Sequence, residues 1–139
     1  MQTHQKLNNG NSIPVLGLGT WESEKNLVGT AIKFAIVQSG YRHIDCASIY
    51  GNEKEIGEAL TGIVNTAVKR EDLFITSKLW NTDHRAEHVE EACKKTLSDL
   101  RLDYLDLYLM HWGIAFRHGD EKEPLDENGK VITESVSIQ

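Results

Sequence analysis

Apolar residues recur along this chain with two different periods, and each change of period marks an element. Residues 6–14 place Asn9-Gly10 between Leu7 and Ile13, which reads as a short hairpin. Val15-Leu16-Gly17-Leu18-Gly19 reads as a small buried strand. From about residue 26 to 38, Val28, Ala31, Ile32, Ala35 and Ile36 form one stripe on a helix that Gly40 stops. Residues 41–45 are a second strand, with Tyr41, His43 and Asp45 on one face. A second helix opens at Asn52, where Glu55 completes a capping-box pattern; its stripe is Ile56, Ala59, Leu60, Ile63 and Val64. Residues 73–78 form a third strand. A third helix over about 85–100 turns Val89, Ala92, Cys93, Thr96, Leu97 and Leu100 inward. Residues 105–111 form a fourth strand, with Leu105, Leu107, Leu109 and His111 on one face.

The order is β-α-β-α-β-α-β with short links, the sign of a parallel sheet in an α/β fold. From Arg117 onward the chain turns polar, with Gly119-Asp120, Pro124 and Gly129, and reads as a loop. Residues 131–139 read as loop or weak strand. Two units are therefore expected: 1–116, and a polar loop over 117–139.

Three of these strands finish in a residue capable of proton chemistry: Asp45, Lys78 and His111. Tyr50 follows Asp45 by five residues. In a (β/α) barrel, side chains at the C-terminal strand ends converge on one mouth. Phenol, ammonium, carboxylate and imidazole together suit proton delivery to a carbonyl.

Composition narrows the partners. Charged residues are 26% and the net charge is −6, which argues against nucleic acid or an anionic membrane. No apolar stretch approaches the ~20 residues of a membrane span. The N-terminal residues carry no apolar signal segment, so the cytoplasm is the expected location. Cys46 and Cys93 lie far apart, so neither a metal knuckle nor a disulfide is expected. The length of 139 residues is about half of the ~250 that a full (β/α)8 barrel takes.

Several motifs carry a resemblance. Gly17-Leu18-Gly19-Thr20-Trp21, Gly40-Tyr41-Arg42-His43-Ile44-Asp45, Ile49-Tyr50-Gly51-Asn52-Glu53, Thr76-Ser77-Lys78-Leu79-Trp80 and the run from Leu102 to Trp112 resemble the aldo-keto reductases. The likeness is to the aldose and aldehyde reductase branch and covers about residues 5 to 135. It implies the N-terminal half of a (β/α)8 TIM barrel: four parallel strands, three helices and an N-terminal hairpin. It implies a catalytic tetrad of Asp45, Tyr50, Lys78 and His111. Trp21, Ile49, Trp80, Trp112 and Phe116 would line the substrate pocket. Gly19, Thr20, Trp21 and Asp45 would lie against the nicotinamide end of NADPH. The segments that hold most of that cofactor in the family have no counterpart here, so a fragment or short product is expected.

The chemistry follows from the residue types. Tyr50 would be the general acid, because an ammonium beside a phenol favours its ionised form and Lys78 can supply one. Asp45 would pair with Lys78 and keep it protonated. His111 would orient the carbonyl, and the hydride would come from the cofactor. The expected activity is reduction of aldehydes and ketones, weak or absent in these residues alone. The alternative is a non-catalytic half-barrel that self-associates or binds a partner through open sheet edges. Gly17-x-Gly19 lacks the third glycine of a phosphate-binding fingerprint and reads as close packing. His84 and His88 share ligand spacing, but their charged surroundings read as a solvated helix face, and no metal site is expected.

Overall fold

The computed structural model describes residues 3–137. The chain opens with an antiparallel hairpin of β1 (His4–Lys6) and β2 (Ser12–Pro14), closed at Gly10 with φ +90°. Four parallel strands follow in the order β3 (Leu18–Gly19), β4 (His43–Asp45), β5 (Phe74–Leu79) and β6 (Leu107–Met110). Helices α1 (Val28–Val37), α2 (Glu53–Thr61) and α3 (Ala86–Leu100) connect them. Register pairs Leu18 with Ile44, Ile44 with Ile75, and Thr76 with Leu107. The four-strand sheet, its three crossover helices and the hairpin agree with the predicted architecture.

Strand alternation gives the sheet two different faces. Ile44 and Ile75 point toward the helices and, with Ile32, Ile36, Ile56, Leu60 and Leu100, form a core shielded from solvent. Each such side chain contributes roughly 1.5–3 kcal/mol by its burial. His43 and Phe74 point the other way and meet edge to face at 5.3 Å. Asp45 and Lys78 share that inner face.

Three local expectations need correction. Val15 and Leu16 are 59% and 63% exposed rather than buried. The β3 pairing begins only at Leu18, while Val15 extends the hairpin by donating its N–H to the Thr3 carbonyl. Ala31 is exposed, since the buried face of α1 is the side carrying Val28, Ile32, Ala35 and Ile36, and Ala31 falls beyond its edge. The capping box does not form either. The Asn52 side chain makes no cap bond, and its Nδ2 donates instead to the Thr20 carbonyl at 2.8 Å. Glu55 turns outward from α2 and accepts the N–H groups of Asn26 and Gly29, both at 2.9 Å. The first turn of α1 has no acidic residue of its own, so Glu55 satisfies donors and complements the helix dipole from a neighbouring element.

After β6 the chain forms β7 (Ala115–Phe116), which pairs antiparallel with β8 (Thr133–Glu134). The segment read as a polar loop is thus anchored at both ends by strand pairing, and positions 138 and 139 lie outside the described residues. No helix among the described residues is long and apolar enough to cross a membrane.

Candidate active site

Asp45 ends β4, Lys78 lies near the end of β5, and His111 follows β6 directly. Tyr50 closes a short 3-10 turn, Ser48–Tyr50, that bends the chain back over the strand ends. Gly51 permits that bend with φ +69°, in the left-handed region where a glycine carries no steric cost.

Lys78 is the centre of the group. Its Nζ donates to both Asp45 carboxylate oxygens, at 2.9 and 3.0 Å, to the Cys46 carbonyl at 2.7 Å, and to the Tyr50 hydroxyl at 3.3 Å. An ammonium has three donors, and carboxylate, carbonyl and phenol engage all of them. Because the Tyr50 oxygen accepts from Lys78, its own O–H remains to donate to a substrate oxygen. The Tyr50 ring meets the His111 ring edge to face at 5.7 Å. Burial holds the His111 imidazole below its ordinary range, the Lys78 charge lowers it further, and Asp45 opposes them. A neutral imidazole at pH 7 follows. Its Nδ1 is buried without a hydrogen-bond partner among the described residues.

An aromatic wall adjoins His111. Trp80 lies 5.3 Å from the His111 ring, 5.6 Å from Trp112 and 5.8 Å from Phe116. Trp80 is buried, and its Nε1 donates to the Lys122 carbonyl at 2.7 Å, so the segment after β7 is tied across it. Trp112 is half exposed. Ile49 is half-buried beside Tyr50. Trp21 is 68% exposed and stands away from the wall at the β3 end. Thr20 is buried and donates through both its N–H and its hydroxyl to the Asp45 carbonyl. Gly19 pairs with Asp45, and a Cβ built on it would meet nothing within 4 Å. At Gly17 a Cβ would come 2.7 Å from the His43 ring, the close approach expected there.

Two features escaped the sequence. Glu53 is buried beneath the strand ends: Ser77 Oγ donates to its Oε1 at 2.6 Å and Thr96 Oγ1 to its Oε2 at 3.2 Å. In sequence it looks like any acidic residue in the first turn of a helix. The solvated-face reading of His84 and His88 also needs correction. The His88 ring stacks on His118 at 3.5 Å, His118 Nδ1 donates to the Thr82 carbonyl at 2.9 Å, and His84 Nε2 is buried. The segment after β7 brings His118 back onto α3, a long-range contact that helical spacing does not encode. Among the described residues no group of three or more His, Cys, Asp or Glu is placed to hold a metal ion.

Comparison with known proteins places the fold. The model of the Aldo/keto reductase family matches residues 15–124. Aldo-keto reductase family 1 member A1 of Rattus norvegicus is 58% identical over 132 residues, covering 94% of this chain and 40% of that protein. The Homo sapiens protein of the same name is 56% identical over the same shares. The solved aldose reductase of Schistosoma japonicum superposes with a TM-score of 0.93 at 55% identity, covering 97% of this chain and 45% of that one. The chain therefore spans about two fifths of the length of the curated relatives it matches. With four parallel strands, three outer helices and an N-terminal hairpin in the N-terminal portion of that barrel, the chain belongs to the aldo-keto reductase family.

Proposed function

We propose that this chain carries the acid–base machinery for NADPH-dependent reduction of aldehydes and ketones to alcohols, with Tyr50 as the general acid. The observation that carries this reading is the Lys78 ammonium, held by Asp45 and placed 3.3 Å from the Tyr50 hydroxyl. The names of the relatives, aldo-keto reductase and aldose reductase, support a carbonyl substrate.

When bound, the cofactor supplies the hydride. The residues at the strand-end rim fit its nicotinamide end, since Gly19 leaves open space beside Asp45 and Trp21 stands exposed there. Those following Trp21 are Glu22, Ser23 and Glu24, whose charge does not suit a diphosphate. Lys78 has its donors engaged within the chain. Weak cofactor binding by these residues alone is part of the proposal.

Within the site, Tyr50 gives its proton to the oxygen that gains charge as the carbonyl is reduced. Lys78 stabilises the phenolate left behind, and Asp45 balances the ammonium. Neutral His111 offers an N–H to the same oxygen and orients it. Trp80, Trp112 and Phe116 form an apolar wall for the carbonyl substituent, with Ile49 beside Tyr50 and Trp21 apart from the wall at the β3 end. Cys46 and Cys93 are both free thiols, which supports a reducing, cytoplasmic setting.

The test is a Tyr50→Phe substitution with two readouts, aldehyde-dependent oxidation of NADPH and quenching of tryptophan fluorescence by NADPH. Whatever turnover the wild-type chain shows falls to the uncatalysed background in the variant, as expected of a positioned acid worth about 10²–10⁴-fold, while the weak quenching by NADPH is unchanged. Unchanged turnover in the variant overturns the reading.

A second reading is a non-catalytic half-barrel that associates through its sheet edges. One observation favours it: β6 and its continuation expose Leu109, Met110, Trp112 and Ile114, with a cleft of about 910 Å³ beside Val89, Met110 and Ile114.

A further inference from the structure

Glu53 is a carboxyl group with only 4% of its surface exposed, and no ion pair among the described residues reaches it. Its partners are two hydroxyls, Ser77 of β5 and Thr96 of α3. Burial pushes its pKa above the usual carboxylate range, partly offset by those two hydrogen bonds. An apolar residue of similar size would avoid the desolvation cost altogether. What an apolar residue cannot supply is a directed bond.

The direction of that bond is informative. Ser77 is next to Lys78 in β5, and the two point to opposite faces of the sheet. Glu53 is three residues beyond Tyr50, across the left-handed turn at Gly51. The 2.6 Å contact of Ser77 with Glu53 and the 3.3 Å contact of Lys78 with Tyr50 therefore close one small ring: Tyr50, Gly51, Asn52, Glu53, Ser77, Lys78. The first contact lies on the helix side of the sheet, the second in the site. Gly51 is the loosest joint of this ring, so the phenol needs an anchor on its far side.

We propose that Glu53 is a positioning residue: through Ser77 it pins the start of α2 to β5 and so holds the Tyr50 hydroxyl within reach of the Lys78 ammonium. This rests on the reading of Tyr50 and Lys78 as the proton-delivering pair. Asn52 adds a second anchor to the Thr20 carbonyl, which ties the turn to the β3 end, and Ser48 Oγ a third, a long 3.4 Å bond to the Lys78 carbonyl that holds the start of the turn, while Glu53 holds its far side beyond Gly51.

The experiment measures geometry rather than turnover, so it separates this proposal from the reductase reading. Nuclear Overhauser effects between the Lys78 side chain and the Tyr50 ring are recorded in the purified chain and in Glu53→Ala, Glu53→Gln and Ser77→Ala, with circular dichroism reporting the fold. The wild-type chain shows these cross-peaks. In Glu53→Ala the helical signal is kept and the cross-peaks vanish. Glu53→Gln keeps an oxygen to accept from Ser77 and restores them. A merely stabilising Glu53 would lower the unfolding midpoint and leave the cross-peaks intact in every folded molecule. A folded Glu53→Ala chain with wild-type cross-peak intensity overturns the proposal. If Glu53→Ala does not fold, Ser77→Ala decides: vanishing Lys78–Tyr50 cross-peaks support the proposal, and persistent ones overturn it. Absence of reductase activity, by contrast, leaves this readout untouched and counts only against the function proposed above.

Discussion

Lys78 has three N–H bonds, and each meets a different kind of oxygen: carboxylate, backbone carbonyl and phenol. A lysine so engaged cannot serve a phosphate as well, so its role is confined to the phenol. The buried titratable groups then predict how stability varies with pH. His111 binds its proton less readily folded than at the ordinary value of 6.5. The unfolded chain therefore takes up that proton first, and the stability present above pH 6.5 is lost as pH falls below it. Glu53 acts in the opposite sense. Its folded value is raised above the ordinary 4.5, so the folded state holds more protons just above that pH. Its contribution is intact below 4.5 and is lost as pH rises through the folded value. Glu53→Gln removes the second loss: urea midpoints taken across a pH series fall more steeply toward neutrality in the wild type than in the variant. Parallel curves for the two proteins contradict this account of Glu53.

Among the elements, the crossing of α2 and α3 is set by one glycine. A Cβ on Gly57 would lie 2.2 Å from the Asp99 carbonyl oxygen and 2.7 Å from the Leu100 carbonyl carbon. Both are backbone atoms of α3 and cannot turn aside. Mid-helix glycine costs roughly 1 kcal/mol relative to alanine, so an alanine would be favoured here if the helices stood farther apart. Gly57→Ala is predicted to destabilise the chain by about 1–3 kcal/mol despite its better helix propensity. A urea midpoint that rises would show that α3 can retreat. The same helices carry Glu53 and Thr96, so their separation also sets the bond beneath the site.

At the level of the whole molecule, the helix side of the sheet is covered around Ile44 and Ile75 but open beyond β6, where Met110 and Ile114 line a cleft against α3. Among the described residues β3 and β6 each have a single strand neighbour, and an open edge with exposed apolar side chains invites pairing. Size-exclusion chromatography over a range of concentrations is predicted to show self-association, reduced when Leu109 and Met110 are both replaced by lysine. A monodisperse monomer at every concentration would contradict the argument. Addition of NADPH distinguishes the two functional readings at this scale: saturable tryptophan quenching supports a working cofactor site, and its absence in a folded chain leaves the half-barrel reading.

Local periodicity was enough to place the strands and the three helices and to mark residues at or within one position of the strand ends, because repeats of two and of three to four residues are written in neighbouring positions. Asp45, Lys78 and His111 were legible for the same reason: a strand end is a local feature, and parallel strands bring their ends to one rim. Contacts between elements were not legible. Glu55 fits a capping box in its own helix, yet it serves the start of α1, because the neighbouring helix end carries unpaired donors closer at hand. Val15 and Leu16 look like core but stay exposed, because burial depends on what stands opposite. Glu53 passes for an ordinary helix-start acid until β5 and α3 close over it. Which side chains share a face is decided along the chain; which faces meet, and so which polar groups are buried together, is decided only when the elements pack.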